Sequence, residues 1–165
     1  MNSPAVGDPA PPFSATDQHG TLIRLEDFRG RKTLVLFFYP ADASPLCTRQ
    51  ACAFRDAYTA FSAAGAVVVG VSSDNSSSHQ RFADNHRLPF HLLSDPDAAL
   101  RRRYGVTRSL GLLPGRVTFV IDPAGSIRHR FNSATQATRH VKEALRVVAQ
   151  IAAERAGAPP PGTAG

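Results

Sequence analysis

Two long apolar runs stand out along the chain, Thr33-Leu34-Val35-Leu36-Phe37-Phe38-Tyr39 and Ala66-Val67-Val68-Val69-Gly70-Val71-Ser72. Both have the length and the β-branched and aromatic content of strands buried on two faces. Between them Phe54, Tyr58 and Phe61 recur at helical spacing and Gly65 supplies a stop, so a helix is expected up to about Ala64. Strand, helix and strand in that order predict a βαβ crossover with parallel pairing.

Upstream, Phe13 to Leu25 half-alternates around Asp17-Gln18-His19-Gly20, the composition of a hairpin turn, and Leu25 to Gly30 reads as one helical turn. Residues 1–12, rich in Pro, Ala and Gly, are expected to be a loose lead-in. Downstream, helices are expected over Ser76 to Asn85 and Asp97 to Tyr104, with Pro89 to Leu93 between them as a loop or short strand. Arg116 to Ile121 and Ser126 to Phe131 flank Asp122-Pro123-Ala124-Gly125, which predicts an antiparallel hairpin. A last helix from about Ser133 to Ala156 would carry Val141, Leu145, Val148 and Ala152 on its apolar face. Residues 157–165 read as a disordered tail, leaving one domain over 1–156. The sum is an α/β architecture with a mixed central sheet flanked by helices and an N-terminal hairpin extension, an order that suits a thioredoxin-like fold.

Composition narrows this picture. The chain has 165 residues, enough to bury a core without staples, and only two cysteines, too few for a secreted disulfide scaffold. No apolar run approaches the roughly 18 residues of a membrane span, and Met1 to Phe13 lacks the pattern of a secretory signal, so the expectation is a soluble cytoplasmic protein with no membrane partner. Nineteen Lys and Arg against 13 Asp and Glu give a net charge of +6, which weakly favours acidic partners. The one basic run, Arg101-Arg102-Arg103, reads as the solvated face of a short helix; it lacks interleaved aromatic residues, and nucleic-acid binding is not expected.

The candidate chemistry sits in Tyr39 to Cys52, which holds both cysteines. Pro40 ends the first apolar run. Ser44-Pro45 pairs a side-chain acceptor suited to an N-cap with a proline suited to the first helical position, so the helix is expected to begin there. Cys47 then falls in the first turn, where unpaired N–H groups and the helix dipole favour an anion, and a reactive thiolate is predicted. Cys52, on an intact helix, would lie roughly 8 to 9 Å from Cys47 between Cα atoms and rotated about 140° around the axis, too far for a disulfide. If the two sulfurs react, the first turns of the helix must melt. No metal or other cofactor is expected, because His19 and His79, the histidines nearest to the pair in sequence, are distant from it, and none of the six histidines has defensible ligand or triad spacing.

These residues also carry a resemblance. Pro40-x-x-x-Ser44-x-x-Cys47, Cys52 five positions later, Ala53-Phe54-Arg55-Asp56 and Arg116-Val117-Thr118-Phe119-Val120-Ile121-Asp122 are similar to the motifs of the peroxiredoxins, most closely the bacterioferritin-comigratory or Q-type branch, over about residues 5–150. The resemblance implies that Cys47 is the peroxidatic cysteine, oxidised by a hydroperoxide to a sulfenic acid. It implies that Cys52 resolves it as an intramolecular disulfide, which thioredoxin or a similar dithiol protein reduces. By the same resemblance Arg116 holds the thiolate and polarises the peroxide, Pro40 shields the sulfur, Ser44 offers its hydroxyl to the peroxide, and the protein is a monomer. Cys52 on its own residue type could instead be a core thiol, and Ser44 could be chiefly the N-cap. Two positions depart from the family pattern. Ser44 replaces the commoner threonine, and Leu46 stands where many members have glycine. A redox sensor that passes its disulfide to a partner is the competing function; a general thiol–disulfide oxidoreductase ranks lower because Cys-x-x-Cys is absent.

Overall fold

A computed structural model describes residues 3–106 and 115–157. In chain order its elements are β1 (Ser14–Thr16), β2 (Leu22–Arg24), a 3-10 turn (Leu25–Asp27), β3 (Thr33–Phe38), α1 (Pro45–Asp56), α2 (Tyr58–Ala63), β4 (Ala66–Ser72), α3 (Ser76–His86), β5 (His91–Ser94), α4 (Ala99–Arg103), β6 (Val117–Ile121), β7 (Ile127–Asn132) and α5 (Ala137–Gly157). β1 and β2 form the expected hairpin. The other five strands make one sheet in the order β5-β4-β3-β6-β7. β3 is parallel to β4 and β4 to β5, whereas β6 runs antiparallel to both β3 and β7. This is the mixed, thioredoxin-like sheet that the element order predicts.

The centre of the sheet is β3, buried at all six residues. Its alternating side chains divide the apolar core in two. Val35 and Phe37, continued by Tyr39, face α1, α2, α3 and α5, where they meet Cys47, Ala51, Phe54, Phe61, Phe82, Ala144 and Val148. Leu34, Leu36 and Phe38 face the opposite way, onto Phe13, Ile23, Leu25, Leu100, Tyr104 and Phe119. Phe37 stacks on Phe54 of α1 with ring centroids 4.5 Å apart, and the space its ring needs comes from Gly70, its register partner on β4. A Cβ at Gly70 would stand 2.8 Å from Phe37 Cζ.

Several boundaries differ from the sequence expectation. The helix after β3 is interrupted at Ala57, whose φ of −94° and ψ of 4° separate α1 from α2. Pro89 to Leu93 contributes a true strand, because β5 pairs with β4 from Val69↔His91 to Ser72↔Ser94. α5 starts at Ala137 rather than Ser133. The intervening residues form a turn in which Ser133 Oγ accepts the Gln136 N–H and the Ser133 and Ala134 carbonyls are taken by His140 and Arg116. The buried face of α5 is Ala137, His140, Val141, Ala144, Val147, Val148 and Ile151, and the expected Leu145 packs half-buried against the same core beside the fully buried Ala144. The lead-in is not loose from Gly7 onward: Gly7 N–H donates to Ile127 O, Ile127 N–H to Asp8 O and Ala10 N–H to Gly125 O, all at 2.8 to 2.9 Å. At the other side of the sheet the Gln18 amide behaves as a short strand, donating to Phe90 O at 3.0 Å and accepting from Leu92 N–H at 2.9 Å. Gly157, the first residue of the expected tail over 157–165, instead closes α5, and the rest of that tail lies outside the described residues.

Candidate active site

Sequence-local forces place the reactive helix. β3 runs into Tyr39 and Pro40, and after a short loop Ser44, in extended conformation with φ of −68° and ψ of 146°, caps α1. Its Oγ accepts the Cys47 N–H at 3.3 Å, and Pro45 takes the first helical position. A hydroxyl that accepts this bond still has its own proton to donate, so capping leaves Ser44 able to serve a ligand as well. Leu46 lies inside the regular first turn, and the departure from glycine leaves the helix intact.

Cys47 is almost fully buried, 1% exposed, and its sulfur accepts a hydrogen bond from Arg116 Nη2 at 3.3 Å. Arg116 precedes β6 and is itself 4% exposed. Its other donors are also engaged, Nη1 with Gln50 Oε1 and Nε with the Ala134 carbonyl at 3.3 Å. The guanidinium is therefore clamped on three sides beside the sulfur, a fixed positive charge with directed N–H groups. Pro40 is half-buried at the end of β3, on the same loop. Cys52 lies on α1 five positions beyond Cys47, half-buried, and both thiols are free. The structure thus joins Ser44, Cys47 and Arg116 at one helix start, with Pro40 on the loop that leads into it and Cys52 farther along an unbroken helix.

Three further contributors have no motif in the sequence that marks them. Gln50 stands at i+3 from Cys47, the helical spacing that puts two residues on one face, and that spacing was the available signal. Arg101 corrects the reading of the arginine run as a solvated face. It turns inward, donating from Nη1 to Gly115 O at 2.9 Å and from Nη2 to Tyr39 O at 3.0 Å, with its guanidinium carbon 5.9 Å from the Phe38 ring centroid. Burial lowers its pKa from the ordinary arginine value, against the opposing pull of Asp95 and Cys47. The third contributor is His79, on α3. Its Nδ1 meets Asp42 Oδ2 at 2.7 Å and its Nε2 meets Leu93 O at 3.0 Å. Asp42 also accepts from Tyr39 OH at 2.6 Å and Ser78 Oγ at 2.8 Å, and its own N–H donates to Asp74 Oδ2 at 2.7 Å. Burial works to raise the Asp42 carboxyl, but hydrogen bonds from His79 and Tyr39 outweigh it and hold the group below its ordinary value.

Donor atoms of Asp42, Asp74 and His79 come within 4.8 Å of one another. Both Asp42 oxygens and both His79 nitrogens are already committed to hydrogen bonds, so this is a self-contained polar network rather than a waiting ligand set. What the site can do is hold a buried sulfur anion at a helix N-terminus beside a fixed guanidinium, with a hydroxyl at hand.

The chain matches the AhpC/TSA family over residues 6–130. It is 46% identical over 146 residues to a chloroplastic peroxiredoxin Q of Sedum lineare, covering 88% of this chain and 78% of that one. Among solved structures it is similar to the peroxidoxin BcpB of Mycobacterium tuberculosis, with a TM-score of 0.83 and 36% identity over 90% of this chain and 98% of that one. It is also similar to the bacterioferritin comigratory protein of Xanthomonas campestris, whose alkyl peroxide reduction activity was studied in trapped intermediate and ligand complexes. That likeness has a TM-score of 0.77 and 29% identity over 85% of this chain and 92% of that one.

Proposed function

The chain belongs to the AhpC/TSA family, in its Q-type peroxiredoxin branch, and on that premise we propose how its site works as a thiol peroxidase. The Cys47 thiolate attacks one oxygen of a hydroperoxide. The O–O bond breaks, the sulfur keeps the attacked oxygen as a sulfenic acid, and the second oxygen leaves as water or an alcohol after taking a proton. Arg116 stabilises the sulfur anion and the charge that develops on the oxygens, Ser44 donates its hydroxyl hydrogen to the peroxide, and Pro40 keeps bulk water from the sulfur. The observation that carries this reading is the Arg116 Nη2 contact at 3.3 Å to a buried Cys47 sulfur in the first turn of α1.

Cys52 then attacks the sulfenic sulfur, a disulfide forms and water leaves. Thioredoxin or a similar dithiol protein reduces the bridge. Hydrogen peroxide and organic hydroperoxides are the substrates we assign, the latter supported by the alkyl peroxide activity of the X. campestris protein. Two unpaired thiols suit a reducing compartment, and we place the protein in the cytoplasm as a monomer.

The test is peroxide-dependent NADPH oxidation with thioredoxin and its reductase, run on the wild type, Cys47→Ser and Cys52→Ser. Turnover should vanish in Cys47→Ser and lose its thioredoxin dependence in Cys52→Ser. Activity surviving in Cys47→Ser rejects the mechanism; full thioredoxin-linked turnover in Cys52→Ser rejects only the resolving role.

A further inference from the structure

The loop that joins β3 to α1 contains a strained residue. Ala43 has a φ of 63°, the left-handed region that alanine visits at a cost, and it sits directly before the Ser44 cap. Such a conformation persists only where its surroundings over-determine it. Here the constraint is on the preceding residue. Asp42 is tied down by its backbone N–H to Asp74, by one carboxylate oxygen to Tyr39, and by the other to His79 and Ser78. Asp74 is held in turn by Ser72 Oγ at 2.7 Å. These partners come from the end of β3, the end of β4 and the start of α3, so a loop residue is fixed to three elements of the sheet-and-helix frame. His79 is wholly buried and both its ring nitrogens are engaged, Nδ1 with Asp42 and Nε2 with the Leu93 carbonyl, so the ring cannot turn without losing both contacts.

We propose that Asp42 and His79 are positioning residues for Cys47: their buried pair locks the 40–44 loop, and through Ala43 and the Ser44 cap it holds the first turn of α1 in the conformation that reacts with peroxide. The proposal rests on the peroxidase reading for its kinetic part. It also assigns the clamp a second effect, since the same first turn must unwind before Cys52 can reach the sulfenic acid. A tight clamp speeds the peroxide step and slows resolution, which leaves the sulfenic acid open to a second peroxide and to over-oxidation. A loosened clamp does the reverse.

Asp42→Ala removes three side-chain bonds, whereas Asp42→Asn is its conservative rescue. The asparagine carbonyl can still accept from Tyr39, and its NH2 can still face His79 Nδ1 and Ser78 Oγ. The two variants are compared with the wild type and with Ile121→Val, which loosens the core on the opposite face of the sheet, beside Leu34 near the start of β3. Three readouts are taken on each: amide exchange of residues 45–50 in the reduced protein, the single-turnover rate of Cys47 with hydrogen peroxide, and the sulfinic fraction after a fixed excess of peroxide. Asp42→Ala is expected to lose about tenfold or more in the peroxide rate, to lose exchange protection at 45–50 and to resist over-oxidation. Asp42→Asn should stay within about threefold of the wild type, and Ile121→Val should change thermal stability alone. If Asp42→Ala does not fold, Ser78→Ala removes one donor to the same carboxylate and should show the same changes in smaller measure. A wild-type rate and wild-type protection in Asp42→Ala, or in Ser78→Ala as its substitute, overturn the proposal, as does an equal loss in Ile121→Val. A wild type without peroxide turnover whose 45–50 protection still depends on Asp42 rejects the peroxidase reading and leaves the clamp standing.

Discussion

Arg116 donates to the Cys47 sulfur at 3.3 Å from a position 69 residues away in sequence, and it cannot swing aside, because Gln50 and the Ala134 carbonyl hold the rest of its guanidinium. Charge alone does not reproduce that arrangement. Arg116→Lys keeps the cation but loses the planar fork, and we expect its single-turnover rate with peroxide to fall on the order of a hundredfold, with Arg116→Met falling further. A near-wild-type rate in the lysine variant would show that the fork is dispensable.

The helical spacing of the two cysteines makes a separate demand. α1 is regular from Pro45 to Asp56 with both thiols free, so a Cys47–Cys52 bridge requires its first turns to open. Amide exchange of residues 47–55 should be slow in the reduced protein and faster by at least about tenfold after oxidation with one equivalent of peroxide. Equal protection in the two states would mean that the bridge, if formed, involves another geometry.

His140 makes the stability of the fold sensitive to acid. Its Nδ1 accepts from Thr118 Oγ1 at 2.8 Å and its Nε2 donates to Ser133 O at 2.8 Å, the pattern of a neutral ring. Burial, with help from Arg116 and against the Ser133 bond, brings its pKa down from 6.5 to about 4. Between those values the unfolded chain binds a proton that the folded chain refuses, so stability falls as pH drops from 6.5 towards 4. The loss through this group is of order 3 kcal/mol. Asp17 and Asp42, whose carboxyls are held below 3.8, lose their contributions only at lower pH. Urea unfolding across this range should show a shallower pH slope for His140→Gln than for the wild type; parallel slopes would remove His140 as the cause.

Gly70 is required for its small size. Alanine there would push its methyl to 2.8 Å from Phe37 Cζ and 3.0 Å from Leu92 Cδ2, on rings and methyls that are fully buried. Gly70→Ala should destabilise by about 1 to 3 kcal/mol, read from the urea midpoint. The displaced Phe37 ring stacks on Phe54 of α1, so the peroxide rate should fall as well. An unchanged midpoint would show that the Phe37 ring yields without cost.

What the sequence disclosed was mostly local. The apolar run of β3, the Ser44-Pro45 start of α1, the Asp17 to Gly20 turn and the Pro123-Gly125 hairpin each depend on residues next to one another, and each stands where expected. Cys47 and Ser44 were legible for the same reason, whereas the place of Arg116 at the sulfur came through family resemblance. Relations made only by the tertiary fold were hidden. Arg101 differs from Arg102 and Arg103 in nothing but its angle around α4, and that angle sends it towards Tyr39 and Gly115. His79 lies 37 positions from Asp42, and the buried pairing depends on where α3 lands against the sheet. β5 is ambiguous in the sequence because four residues without clear alternation gain strand character only from a neighbour, here β4.

Both margins of the five-stranded sheet are partly occupied. The Gln18 amide fills the hydrogen-bonding positions of Phe90 and Leu92 beside β5, and the Gly7 to Ala10 segment takes those of Ile127 at the start of β7. Beyond Ile127, the outer strand carries Arg128 and Arg130, charges that discourage another strand from lying alongside. Exposed margins are where sheets recruit foreign strands into aggregates. Should the helix that carries Cys47 open to form the proposed bridge, such covering keeps the transient opening of one helix from becoming an invitation to polymerise.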